Sequence, residues 1–304
     1  MERNDRLSLS MTLDQLRIFV AVAEASNMTR AAALLHLSQP AVSAAVAALE
    51  GRHGSRLFDR IGRRLELTSA GRLFLPEAKA VLAQAEQARQ VLDDLSGLVR
   101  GEVRIAASQT VATYWLPRYL ARFATARPGI TLSMADGNTA QAASAVLAGD
   151  ADLAVVEGRT DHPLLDVRTV GHDRLGLYAA IDHSLAGRPI GRAELLEAVW
   201  VMREPGSGTR DHFATVLPDH GLAIGDLDIR LELPSNGAVL AAVEGSAMIA
   251  PISDAAAAPR RKAGLIQRLD CVLPERNFSL LLHRERHRSR AVSSFLEFLE
   301  TDPS

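Results

Sequence analysis

Three short helical patterns followed at once by an arginine-rich hairpin occupy the first seventy residues of this 304-residue chain, and few folds accommodate that order. Thr12-Leu13-Asp14-Gln15 fits a capping box, with Thr12 as N-cap and Gln15 three residues on. Leu13, Leu16, Phe19, Val20 and Ala23 follow at helical spacing and predict a first helix to about Ala25. Asn27 is placed to cap a second helix, Met28 to Leu37, with Ala31, Leu34 and Leu35 facing inward. Ser38 caps a third, with Pro40 in its first turn, where a missing N–H costs little. Val42, Val46 and Leu49 fall on one side of that helix, and Gln39, Ser43 and Ala47 on another. Two short helices around a tight turn at His36-Leu37-Ser38 make a helix-turn-helix, although an ordinary bundle with a polar face would show the same pattern.

The next stretch decides between them. Arg56 to Thr68 reads as two short strands around Gly62, with Arg60, Arg63 and Arg64 crowded at the tip. Directly after such a helix, a hairpin tipped with arginines is a wing that grips phosphates or the minor groove. The outer face of the third helix then enters the major groove of double-stranded DNA, where Gln39 pairs with adenine and Ser43 serves either base type. The net charge of -2 says nothing for nucleic acid by itself. Its distribution agrees with the assignment, because residues 1–72 carry a net +3 and the remainder a net -5.

The run from Leu13 to Gly71 closely resembles the N-terminal domain of LysR-type transcriptional regulators. "TRAA", "LSQPAVS", "LE", "LFDR" and "LT..G" stand in that family's order and spacing. The resemblance implies a helix-turn-helix at about 28–47 and DNA contacts from Thr29, Arg30, Gln39, Pro40, Ser43, Arg60, Arg63 and Arg64. One departure is that Ala44, Ala45, Ala47 and Ala48 replace the basic or polar residues many members carry, which leaves fewer side chains for reading bases directly. His53 stands where a leucine is common.

From Thr68 a longer helix begins, with Pro76 predicting a kink or a late start. Beyond it Val81, Ala85, Ala88, Leu92 and Leu95 form an a/d seam over two heptads. The alternative is a helix packed on its own domain; the resemblance implies pairing of two copies through it. Gly97 and Gly101 bracket its end as a hinge. The expected division is therefore a winged helix-turn-helix over 1–70, a linker helix over 71–100 and a further domain over 101–304.

That domain reads as α/β. Strands at Val103–Ala107, Ile130–Ala135 and Leu153–Val156, with helices at Trp115–Ala126 and Gln141–Ala148 between them, predict a parallel sheet with ligands at its C-terminal edge. A second lobe is expected over 162–265, with strands at 175–181, 199–202, 229–233 and 247–250 and helices from Arg210 and over Gly237–Glu244. The chain then returns to the first lobe over 266–304, with a strand at Phe278–Leu282 and a helix at Ala291–Glu300. Two lobes with two crossings resemble a type 2 periplasmic binding protein, the architecture of the LysR effector domain. Ser108, Gln109 and Thr110 form a polar loop before a helix, and Asn138 and Thr139 hold the equivalent place after the second strand. Arg203 and Ser207 flank a glycine-rich turn. These groups suit a small anionic or polar effector, though capping and turn chemistry explains the same residues; Glu157 faces the ligand or caps a loop.

Enzyme readings are weaker. His283-Arg284-Glu285-Arg286-His287 is not H-E-x-x-H, Gly206-Ser207-Gly208 is neither a P-loop nor a nucleophile elbow, and Asp150 and Asp152 read as a turn. His183 has no supported third partner, and the lone Cys271 excludes an internal disulfide. No catalytic residue, metal ligand set or cofactor is expected. No apolar run approaches the roughly 20 residues of a membrane span, and no apolar signal core follows the charged N-terminus, so a cytoplasmic protein without a membrane partner is expected. The expected partners are promoter DNA, a second copy in a homodimer or homotetramer, a small-molecule effector and RNA polymerase. A cytoplasmic solute-binding module without a promoter role is the alternative, and the N-terminal domain argues against it.

Overall fold

The computed structural model describes residues 11–61, 64–95, 101–158 and 160–301. They divide into two compact units, one ending at Ser96 with Ala148–Asp150 added, the other formed by the rest.

The first unit opens with α1 (Leu13–Ala25). Its capping box is formed, since Thr12 Oγ1 accepts from Gln15 N–H at 3.2 Å and Gln15 Oε1 accepts from Thr12 N–H at 3.1 Å. Asn27 caps α2 (Met28–Leu34), its Oδ1 accepting from Arg30 N–H at 2.9 Å. This helix stops three residues short of the expected Leu37. His36 takes a left-handed φ of 54°, and Leu37 N–H turns back to the Ala32 carbonyl at 2.9 Å. Two turns of helix leave room for only a narrow inner face, so Ala31 and Ala32 are buried, and Leu34, expected inside, is 64% exposed. Ser38 caps α3 (Gln39–His53), which buries Val42, Val46 and Leu49 as its spacing predicts. β1 (Phe58–Ile61) and β2 (Arg64–Leu67) pair antiparallel. α4 (Ser69–Leu95) starts directly after them, so of the kink or late start expected from Pro76 the late start does not occur, and Pro76 lies within the helix. Phe19 is buried with ring centroids 5.4 Å from Phe58 and 5.0 Å from Phe74, so first helix, hairpin and linker helix share one core that Ala78 also joins.

In the second unit β3 (Gly101–Ser108) is followed by a π-helical turn at Val111–Trp115 and by α5 (Leu116–Ala126). Thr110 already has right-handed helical backbone, so Ser108, Gln109 and Thr110 form a strand end running into a helix start, where a loop was expected. β4 (Ile130–Gly137), α6 (Thr139–Ala148) and β5 (Leu153–Glu157) complete the βαβαβ unit, with β4, β3 and β5 parallel. Then comes β6 (Leu165–Ala180), 16 residues long. The second lobe contains α7 (Arg192–Glu197), β7 (Val199–Arg203), α8 (Gly208–Val216), β8 (Asp228–Leu233), α9 (Asn236–Glu244), β9 (Met248–Ser253), α10 (Asp254–Lys262) and β10 (Ile266–Arg268). β11 (Glu275–His283) and α11 (Arg290–Thr301) close the chain on the first lobe. The strands form one sheet in the order β4-β3-β5-β11-β6-β9-β7-β8, with β10 on β6.

Both crossings fall later than the sequence suggests. The first ten residues of β6, from Leu165 to Arg174, pair with β11 in the first lobe, and only from Leu175 does the strand pair with β9 in the second. The return comes at Glu275 rather than near Ile266, because Ile266, Leu269, Cys271 and Leu273 are buried in second-lobe cores. A continuous strand carries its ladder from one lobe to the other, and turn residues near His162 mark a loop rather than the boundary. No single helix among the described residues is long and apolar enough to cross a membrane.

Candidate nucleic-acid interface and interlobe cleft

On the first unit Thr29 and Arg30 stand exposed at the start of α2, Pro40 is exposed at the start of α3, and Gln39 and Ser43 are half-buried beside it. Ala44, Ala47 and Ala48 are exposed on α3, so methyl groups occupy much of its outer face. Arg60 is exposed on β1; Arg63, like Gly97 of the expected hinge, lies outside the described residues, and Arg64 is the first residue of β2.

The hairpin is held by groups that pattern alone does not single out. Glu50, in the last turn of α3, accepts from Leu57 N–H at 2.7 Å and Phe58 N–H at 3.1 Å, which ties α3 to the start of β1. Thr68 Oγ1 donates to the Arg56 carbonyl at 2.7 Å and accepts from Gly71 N–H at 3.0 Å. A Cβ on Gly71 would lie 2.2 Å from the Leu57 carbonyl oxygen, so only glycine lets α4 start this close to β1.

In the second unit the predicted cleft residues do meet between the lobes. Ser108 is buried, donates to the Glu157 carboxylate and accepts from Glu157 N–H at 3.3 Å. Thr139 donates to the Glu157 carbonyl at 2.5 Å. Gln109 clamps the chain before α9, donating to the Pro234 carbonyl and accepting from Asn236 N–H, both at 3.1 Å. Thr110 Oγ1 accepts from Asn236 Nδ2 at 3.1 Å. Asn138 caps α6 through Gln141 N–H at 3.0 Å and reaches across to Glu204 Oε1 at 3.3 Å. Ala140 N–H donates to the Gly206 carbonyl at 3.3 Å.

Arg203 departs from its expected role. It is buried, its Nε and Nη2 donate to Glu204 at 2.8 and 2.9 Å, and its Nη1 donates to Asn236 Oδ1 at 2.9 Å. The guanidinium is neutralised inside its own lobe and is not presented to a ligand. Burial works to raise the Glu204 carboxyl, but the hydrogen bonds from Arg203 and Asn138 outweigh it and hold the group below the usual carboxylate range. Ser207 is the N-cap of α8, yet its buried hydroxyl has no partner. Gly208 packs so closely that a Cβ there would lie 2.1 Å from the Glu157 carbonyl oxygen.

Two residues central to this site escape sequence reasoning. Arg276, at the start of β11, donates from Nε and Nη2 to Asp173 Oδ2 at 2.9 and 2.6 Å and from Nη1 to Thr209 Oγ1 at 3.0 Å. Its Nη2 lies 3.5 Å from Thr110 Oγ1 and its Nη1 3.9 Å from Glu157 Oε1. Asp173, on β6, also accepts from Ser253 at 2.9 Å. One guanidinium thus joins both crossing strands to both lobes. A flank of the crossing strands carries an open depression of about 610 Å³, lined by Thr169, His212, Asn277 and Ser279 among others. Burial holds the His212 imidazole below its usual pKa, although its ring contact with the Pro274 carbonyl at 3.2 Å works the other way.

Some of the other reactive side chains make local contacts. Asp152 accepts from Arg104, His283 Nδ1 accepts from Glu285 N–H, and His183 Nε2 lies 3.0 Å from the Ala247 carbonyl. Cys271 is buried, which pushes its thiol up.

Comparison with known proteins places this geometry. Residues 13–72 match the bacterial regulatory helix-turn-helix protein, lysR family, and residues 96–303 match the LysR substrate binding domain. The chain is 33% identical over 294 residues to the uncharacterized HTH-type transcriptional regulator YeiE of Escherichia coli strain K12, covering 96% of this chain and 98% of that one. It is similar to full-length CbnR complexed with its target DNA, at a TM-score of 0.69 and 26% identity, with 96% and 99% of the two chains covered. It also resembles the CcmR regulatory domain of Synechocystis PCC6803 in complex with 2-PG, at a TM-score of 0.61 and 27% identity over 66% of this chain and 97% of that one. A DNA-binding unit and a two-lobed domain in this order, matched over nearly the full length, make the chain a member of the LysR family of DNA-binding transcriptional regulators.

Proposed function

We propose that a small metabolite bearing an anionic group binds between the two lobes and switches the DNA-binding output of this regulator. The observation that carries the reading is the buried, unpartnered hydroxyl of Ser207 at the start of α8, where helix N–H groups also favour an anion. Ser108, Gln109, Thr110, Asn138 and Thr139 line the same junction, and Arg203 acts there through Glu204 and Asn236. The binding of 2-PG by the related CcmR domain supports a metabolite at such a domain. Because the lobes are bridged by direct hydrogen bonds, a ligand acts by binding one lobe arrangement more tightly than the other.

The DNA contacts are Thr29, Arg30, Gln39, Pro40, Ser43, Arg60, Arg63 and Arg64, in which arginines supply the salt-sensitive attraction and Gln39 and Ser43 part of the sequence preference. Val81, Ala88 and Leu92 of the linker seam are exposed, which supports pairing of two copies through α4, as a dimer or tetramer on a two-fold-related operator. Acting at a promoter puts the protein in the cytoplasm beside RNA polymerase. The test is fluorescence anisotropy with the chain's own upstream intergenic DNA across a salt series, with a scrambled duplex beside it. Salt-dependent preference for the native duplex is expected, and Arg60→Ala should lower the salt slope by about 1. An unchanged slope refutes the wing assignment.

A further inference from the structure

The charges buried between the lobes do not cancel, and Glu157 carries the surplus. Arg203 is matched by Glu204 and Arg276 by Asp173, each through two charge-assisted hydrogen bonds of 2.6–2.9 Å. Glu157 is a third carboxylate, 1% exposed. Its nearest cation is Arg276 at 3.9 Å, beyond hydrogen-bond reach, and that guanidinium is already committed to Asp173 and Thr209. What meets Glu157 directly is a neutral donor, the Ser108 hydroxyl. A buried carboxylate is costly unless a cation pairs with it. Glu157 ends β5 at the C-terminal edge of the parallel strands, where ligands of open α/β sheets bind.

Beside it lies the complementary feature. The backbone of Gly208, first residue of α8, sits against the Glu157 carbonyl. Next to Gly208 is the orphaned, 1%-exposed hydroxyl of Ser207. Glu157 and Ser207 thus stand on facing segments of the two lobes, the one offering a partner to a cation and the other to an anion. An effector that is only an anion would add to the surplus negative charge, and one that is only a cation would leave Ser207 unused.

We propose that the effector is a small zwitterion of the amino-acid type, with its cationic nitrogen on the Glu157 carboxylate and Ser108 and its carboxylate at Ser207 and the start of α8. This rests on the interlobe binding proposed above. Glu157 is then a specificity determinant that rejects acids lacking the amino group.

The experiment is titration calorimetry on the full-length protein with matched pairs: glycine and glycolate, alanine and lactate, serine and glycerate, aspartate and malate, with lysine and arginine added. At least one amino acid should bind, and its matched hydroxy acid should bind about 30-fold more weakly or worse. Glu157→Gln should abolish that discrimination, and the unmodified protein alone already tests the preference should this variant fold poorly. Hydroxy acids binding as well as their amino acids, or no binding by any amine-bearing compound, overturns the proposal. Ser207→Val separates it from the underlying reading. Hydroxy acids whose binding Ser207→Val weakens would keep the cleft and overturn the zwitterion, whereas binding untouched by both variants would overturn the cleft itself.

Discussion

Replacing Arg276 by methionine isolates what the guanidinium at the crossing contributes. The two side chains have similar length, so the change removes charge and donors with little change in volume. In the structure Arg276 is 2% exposed and gives Asp173 two hydrogen bonds, while Asp173, itself 8% exposed, also accepts from Ser253. Removing one partner of a buried pair costs about 3–5 kcal/mol, because the other charge is left uncompensated. For a domain of this size each kcal/mol moves the midpoint by about 2–4 °C, so Arg276→Met should melt about 6–20 °C lower. Most of that cost belongs to the stranded carboxylate rather than to lost attraction. Asp173→Asn added to Arg276→Met should therefore restore much of the stability, and the double-mutant cycle should give a coupling of about 2 kcal/mol or more. Calorimetric melting of the four proteins measures it. Additivity within about 0.5 kcal/mol would show that the two groups act independently and would refute the reasoning.

Other perturbations read other parts of the molecule. Gly208→Ala puts a methyl group 2.1 Å from the Glu157 carbonyl oxygen, and the lobes must separate to admit it. The expected cost is about 1–3 kcal/mol, seen as a lowered melting point, and an unchanged midpoint would mean the junction yields freely. Glu50→Ala frees the N–H groups of Leu57 and Phe58 and should cost about 1–3 kcal/mol while weakening DNA binding through a loosened wing; loss of stability with full DNA affinity in anisotropy would separate Glu50 from the wing. Burial depresses the His212 pKa, so the neutral ring is favoured in the folded protein. The stability it contributes is complete above 6.5 and is lost as pH falls through the depressed value. The melting point should fall on acidification below pH 6.5, and less so in His212→Gln; identical pH profiles for both proteins would count against it.

What could be read from the sequence was local. Thr12, Asn27 and Ser38 cap their helices because a cap needs only a side chain and an N–H two or three residues on, and such signals survive in any context. The βαβαβ order was legible because buried strands and amphipathic helices carry different periods. Leu34 misled because periodicity assumes that a helix continues, whereas the left-handed turn at His36 ends it. The pairing of Arg276 with Asp173 spans 103 positions and exists only through the register of β6 and β11, which no short window encodes.

The interlobe junction shows why such a site is half visible. Asn138 looks like a helix cap and is one, but its amide also crosses to Glu204. Gln109 reads as part of a polar loop, and both ends of its amide are spent on the backbone around Asn236. Asn138 and Gln109 each have a local role that explains their presence and a distant partner that explains their position. That doubling has an energetic consequence. An effector entering the junction must replace these cross-lobe bonds as well as form its own, so its net affinity is a difference between two sets of polar contacts. Weakening one cross-lobe bond, as in Gln109→Ala, should then tighten effector binding while blunting the response at DNA, because the arrangement these bonds hold is less favoured from the start.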